Sequence, residues 1–406
     1  MTLAETPLVL MLVGLTAYAV LGGADFGAAF WQLGSRSETR REHAYRSMGP
    51  VWETNHVWLV FVLAICWTAY PEAFASIFST LAIPLFIAAV GIILRGTAYA
   101  VHAGTAREIE RQTIDAVFSI SSILTPFALG TAIGGVASGR VPVGNAEGDL
   151  VTSWVNPTSF AVGAIAVAAG VYLAAVYLAG DAARAGHDDL AAAFRRRALA
   201  SGAVTGAVAL AGLLVVTLDA EKLRGGLFGW PAILAIVASP AAGLATLELV
   251  RRAHFEAARY LASAAVAAIV VGWALAQRPE LLPGLTVEEA AAERPVLVAT
   301  IVGVAVGAVV LVPSLVLLFG LVLRGRFDRE AVGADGEPRA RRVALPRGPL
   351  AGLAILALAV GLPLTLVPDG GPVQAVGVIG LLAFVAVGSV ALGSAAAAVG
   401  GRDEDG

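Results

Sequence analysis

Three carboxylates, an imidazole and a guanidinium stand within or beside long apolar runs in the first third of this 406-residue chain: Asp25, Glu53, Asp115, His56 and Arg95. On insertion scales a charged side chain at the centre of a bilayer costs about 2.5–3.5 kcal/mol, so ionisable residues in spanning segments call for a functional explanation first. Carboxylates and an imidazole can pass protons, and a guanidinium nearby tunes their charge balance, so the chemistry open to this set is proton uptake. Glu53 follows Pro50, whose place at a helix start sets it just inside the membrane, and Asp25 is too short to snorkel far. Trp52, Glu53 and His56 project from one sector of a helix, where Glu53 and His56 can hydrogen-bond, whereas Asn55 points elsewhere. For Arg95 and Asp115 snorkelling or structural pairing near the interface stays open as an alternative.

The elements that must position these groups follow from composition. The chain is 58% hydrophobic and only 14% charged, with a mean hydropathy of +0.81. An ordinary soluble domain carries about 25% charged residues. Unbroken apolar stretches exclude a β-barrel of alternating polarity and leave an all-α polytopic membrane protein. Apolar windows at about 7–33, 51–70, 73–98, 115–138, 158–180, 198–218, 227–250, 257–276, 296–323, 348–367 and 371–399 predict eleven helices. Taken alternately, the connections on one side hold 21 of the 27 Lys and Arg and those on the other hold five, with Arg95 inside the third window. That asymmetry predicts an outside N-terminus, a cytoplasmic C-terminus and all five ionisable groups toward the cytoplasm.

Other classes fall away or stay secondary. Basic residues are dispersed among connections without aromatic interleaving, so no nucleic-acid partner is expected; the lipid bilayer is. One cysteine, Cys66, permits no intrachain disulfide and no cysteine-built metal site. Of the five histidines, His43, His187 and His254 lie in charged connections and His102 at a helix end, which leaves His56 without an obvious partner for haem ligation. The tryptophans near helix ends read as interfacial anchors, and Gly and Ala in helices five to eleven as close-packing positions. The N-terminal segment lacks a basic start and is expected to remain as the first helix. The chain divides into a four-helix unit over 1–140, a second helical unit over 141–325, an Arg-rich cytoplasmic linker over 326–347, and a C-terminal hairpin with a tail over 348–406.

Gly23-Ala-Asp25-Phe-Gly27, then Ser47-Met-Gly-Pro50-Val-Trp52-Glu53-Thr-Asn55-His56-Val-Trp58, then Leu94-Arg95-Gly96 closely resemble the motifs of subunit II of the cytochrome bd-type quinol oxidases. The resemblance is strong over residues 20–140 and rests on helix number and loop size from there to about 323. The family usually has about nine helices, so the tenth and eleventh depart from it.

The resemblance implies a complex of the bacterial cytoplasmic membrane that oxidises quinol at the outer face, reduces oxygen to water and draws protons from the cytoplasm. Haem b and haem d would belong to the larger subunit I. This chain would ligate neither haem nor metal, would scaffold subunit I and would line a proton path. Small accessory membrane subunits and a structural quinone occur in some members. The family's acidic and basic positions map to Asp25, Glu53, Arg95 and Asp115, while a position acidic in some members is here Ala100. Two rivals stand beside this reading: a proton-coupled secondary transporter and a purely structural scaffold subunit.

Overall fold

The computed structural model describes residues 2–33, 39, 43–44, 52–102, 108–323, 349–365 and 371–400. Nearly all of them are helical. The first apolar window is a single rod of three pieces: α1 (Glu5–Ala17), a π-helical turn (Tyr18–Gly22) and α2 (Gly23–Leu33). There follow α3 (Trp52–Ala69), α4 (Pro71–Thr80), α5 (Ala82–His102), α6 (Glu108–Ala137), α7 (Pro157–Arg184) and α8 (Asp188–Asp219). Then come α9 (Glu221–Leu227), α10 (Trp230–Arg251), α11 (Phe255–Gln277), a hairpin of β1 (Glu280–Leu282) and β2 (Leu285–Thr286), α12 (Val287–Ala290), α13 (Arg294–Leu323), α14 (Pro349–Thr365) and α15 (Gly371–Gly400).

Among the described residues nine helices are long and apolar enough to cross a membrane, and two shorter apolar helices, Asn55–Ala69 and Pro349–Leu364, occupy the remaining windows. The protein is a multi-pass membrane protein, as its composition requires. One window is divided differently from the expectation. The run 73–98 is continuous in hydropathy, but the chain breaks at Leu81 into α4 and α5, and the span itself is Ala82–Val101. Pro71 opens α4, and the hydroxyls of Ser76 and Ser79 accept from the amides of Gly144 and Ala146 at 2.9 and 2.8 Å. These bonds tie α4 to a connection at the end of the bundle.

The connections segregate into two ends, as alternation of spans demands. At one end the Tyr70 hydroxyl donates to the Ala4 carbonyl (2.5 Å), Arg278 pairs with Glu5, the Ala292 amide donates to Ala69 (2.8 Å) and Arg140 pairs with Asp219. At the other, Arg-rich end, Arg259 and Arg184 both pair with Asp181, Arg184 also meets Glu256 at 3.2 Å, and His43 bonds the Leu178 carbonyl at 3.2 Å.

The chain forms two compact units, Met1–Leu315 and Val316–Gly406. In the first, α7 is the central helix: its half toward the Arg-rich end is almost wholly buried, and Val20, Ala24, Ala28, Phe118, Phe194, Ala258 and Ala262 pack around Tyr172, Leu173 and Val176. In the second, α14 and α15 pack against each other. Their backbones cross at Gly361 and Gly380, where a Cβ on Gly380 would stand 2.9 Å from the Cα of Gly361.

Candidate functional site

The polar groups of the first three spans converge because of one irregular turn and one close helix crossing. The π turn Tyr18–Gly22 inserts an extra residue just before the Gly23-Ala-Asp25-Phe-Gly27 motif and so resets the face that α2 presents. The glycines of that motif then let α2 lie against α7. A Cβ on Gly27 would overlap the carbonyl group of Gly170, and one on Gly170 would stand 2.6 Å from the carbonyl oxygen of Gly23. With small residues seated on α7, the opposite side of α2 turns Asp25 and Phe26 toward α3, α5 and α6.

There Asp25, 9% exposed, accepts a hydrogen bond from the side-chain amide of Asn55 on α3, itself 5% exposed. His56, the next residue, faces the π turn: its Nδ1 lies 3.5 Å from the Tyr18 hydroxyl. Its ring centroid is 5.9 Å from that of Tyr18 and 6.0 Å from that of Phe26. Arg95 enters from α5 and is 1% exposed, the largest fully buried side chain among the described residues. Its guanidinium carbon lies 4.5 Å from the centroid of Phe26 and 5.4 Å from that of Phe118 on α6. Stacking on phenyl faces offsets part of the cost of holding a guanidinium there, by roughly 0.5–2 kcal/mol per contact. Asp25, Tyr18 and His56 all lie within reach of its charge.

The structure thus brings together Asp25, Asn55, His56 and Arg95. Asp115 is half-buried, one helical turn before Phe118 on α6 and hence at the edge of the same cluster. Trp52 and Glu53 occupy the first turn of α3, immediately before Asn55, and their side chains lie outside the described residues. Among the described residues no three His, Cys, Asp or Glu gather as metal ligands would.

Two features escaped the sequence reading. Asn55 is expected, with Trp52 and Arg95, as a structural or charge-tuning residue, but not as the direct partner of Asp25; a single-helix projection cannot see an acceptor on another helix. Tyr18 and Phe26 are two of the three rings around Arg95 and His56, yet the sequence does not single out Tyr18, and Phe26 enters only as part of the Gly23-Ala-Asp25-Phe-Gly27 motif. The signal available was their spacing of seven and one residues from Asp25, which one added residue in the π turn converts into a shared face. Trp31 donates its indole N–H to the Val171 carbonyl at 2.9 Å and lies 5.2 Å beneath the Arg197 guanidinium.

Comparison with known proteins places this arrangement. A Bacillus subtilis protein named as a cytochrome bd menaquinol oxidase subunit II is 24% identical over 221 residues, 52% of this chain and 63% of that protein. The cytochrome bd-I ubiquinol oxidase subunit 2 of Escherichia coli K12 is 26% identical over 132 residues, 32% of this chain and 35% of that one. The matched stretch is therefore less than two thirds of the length of these curated relatives. A chain in the structure of bd oxidase from Geobacillus thermodenitrificans superposes with a TM-score of 0.67 at 25% identity, covering 80% of this chain and 99% of that one. The sequence profile of the cytochrome bd terminal oxidase subunit II family matches residues 3–322, and with the motif residues gathered as above, this chain belongs to that family.

Proposed function

We propose that this chain is the non-haem subunit of a quinol:oxygen oxidoreductase in the bacterial cytoplasmic membrane. In this reading it scaffolds a larger partner subunit that carries haem b and haem d. Quinol and oxygen are substrates of that complex, and this chain supplies part of the path by which protons reach the oxygen chemistry from the cytoplasm. The Arg-rich end faces the cytoplasm, in keeping with the excess of basic residues there, and the N-terminus lies outside.

The observation that carries the reading is the buried contact between Asp25 and Asn55, beside His56 and within the field of Arg95. Such a carboxylate can take up and release a proton while an amide and a cation remain to compensate its charge, which an isolated carboxylate in an apolar interior cannot do. Glu53, two residues before Asn55 at the start of α3, and Asp115, at the start of the fourth span, stand between this cluster and the Arg-rich end. They are the entry groups, with Glu53 the favoured carrier. Ala100 contributes no group, so water or these carboxylates must serve there.

The test uses the complex purified with its haem-bearing partner. Asp25→Asn and Glu53→Gln each remove one proton-carrying group at constant volume and are expected to lower oxygen-consumption turnover at least about tenfold while haem content stays at the parent level. Glu53→Asp should be milder. Parent turnover in both neutral variants at every pH would leave the chain a structural scaffold, and a purified chain with neither haem nor partner would favour the transporter.

A further inference from the structure

The geometry points to Tyr18 as a further proton-relay residue: we propose that its hydroxyl extends the path from His56 toward the middle of the membrane. The inference rests on the proton path of the preceding section and adds to it a residue on no motif.

Side chains on an α-helix ordinarily lean toward its N-terminus. Tyr18 leans the other way. It opens the π turn, and its ring lies along the helix over Gly22, where a Cβ would stand 3.1 Å from two of its ring carbons. The ring goes on to meet Phe26, eight residues ahead, edge to face at 6.4 Å. The π turn and Gly22 together carry a 7% exposed phenol toward the site, ending with its hydroxyl 3.5 Å from Nδ1 of His56. That spacing is long for a hydrogen bond, as is common for proton-transfer pairs in the resting state.

Two separate contacts, Asn55 with Asp25 and His56 with Tyr18, thus sit on adjacent residues of α3 and step from the Arg-rich half toward mid-depth. A relay step balances without a change in net charge. Nδ1–H of protonated His56 donates to the phenol oxygen while the phenol O–H passes to a water on its far side. The hydroxyl hydrogen is restored in the same step, and His56 is left neutral.

Tyr18→Phe removes one oxygen and keeps the ring that packs on Gly22, Phe26 and His56, so the complex should assemble with full haem content. The expected result is a several-fold fall in kcat with KM for quinol unchanged, together with a larger solvent deuterium isotope effect on turnover. Parent kcat and isotope effect in Tyr18→Phe, alongside an impaired Asp25→Asn, would overturn the role of Tyr18 and leave the path standing. Parent behaviour in both variants would remove the path itself. A fall in kcat with an unchanged isotope effect would mark the hydroxyl as structural and likewise overturn the relay.

Discussion

Arg95 and Arg140 each have an Asp in their surroundings, and the two sites are built to opposite ends. Arg140, at the end of the bundle that bears the N-terminus, grips Asp219 with two parallel bonds of 2.9 and 2.8 Å. The same carboxylate accepts from the hydroxyl and amide of Thr158 at 2.7 and 3.2 Å, in the first turn of α7, where Asn156 accepts from the Ser159 amide. Four donors converge on Asp219, three of them on one oxygen, at a helix N-terminus that favours an anion. Arg95, by contrast, presents its faces to two phenyl rings and exerts its charge on Asp25, which accepts its hydrogen bond from the neutral amide of Asn55. A saturated ion pair fixes a loop to a helix. A carboxylate with a neutral donor and a cation at one remove keeps the freedom to change protonation state.

The largest way to break the comparison is to delete the deep cation. Arg95→Met keeps the stem and removes the charge, leaving Asp25 without its compensating guanidinium; losing a partner of a buried charge typically costs about 3–5 kcal/mol. Little assembled, haem-bearing complex should be recovered, and what is recovered should turn over poorly. Arg95→Lys, which keeps the charge but not the planar face against Phe26 and Phe118, should fall between. Normal yield and turnover for Arg95→Met would show that the two arginines are equivalent after all.

The corresponding change at the other end should affect stability alone. Arg140→Ala removes both bonds to Asp219, but the Arg140 side chain is 35% exposed and water replaces part of what is lost. A cost of about 1–2 kcal/mol follows. The expected outcome is a lower thermal midpoint of the purified complex with turnover per haem unchanged. A fall in turnover as large as that of Arg95→Met would dissolve the distinction.

Much of this contrast was legible before any coordinates. Asp25, His56 and Arg95 drew attention because ionisable groups in apolar runs are expensive, and the eleven windows fall on the nine long and two shorter apolar helices. Hydropathy records composition, however, and not where a chain turns. It ran straight through Leu81, although 26 residues of helix over 73–98 would span about 39 Å, well beyond a hydrocarbon core of about 30 Å. Pairings between helices were also out of reach. Asn55 meets Asp25, and Gly23 and Gly27 meet Gly170, through contacts separated by 30 residues or more. The π turn that aims Tyr18 has no local signature in Tyr-Ala-Val-Leu-Gly.

The smallest expected effect lies farthest out, in the exposed connection that precedes α7, and it sets the lower bound of what a saturated carboxylate contributes. Asp149 accepts from the amides of Val151 and Thr152 at 2.8 and 2.6 Å and from the Thr152 hydroxyl at 2.9 Å. The Thr152 amide, then that of Val151, then the Thr152 hydroxyl hold its carboxyl below the ordinary Asp value, and the small desolvation opposing them does not reverse the direction. A group whose folded value is depressed stabilises the fold above its unfolded value, about 3.9, and loses that contribution as the pH falls through the folded value. Asp149→Asn keeps one carbonyl acceptor and gives up the charge. Its amides at 151 and 152 should therefore exchange hydrogen faster than the parent's at neutral pH, and the two proteins should converge in acid. Turnover should not move at any pH. If the difference instead widened as the pH fell, the carboxylate would not be the acceptor that orders this turn.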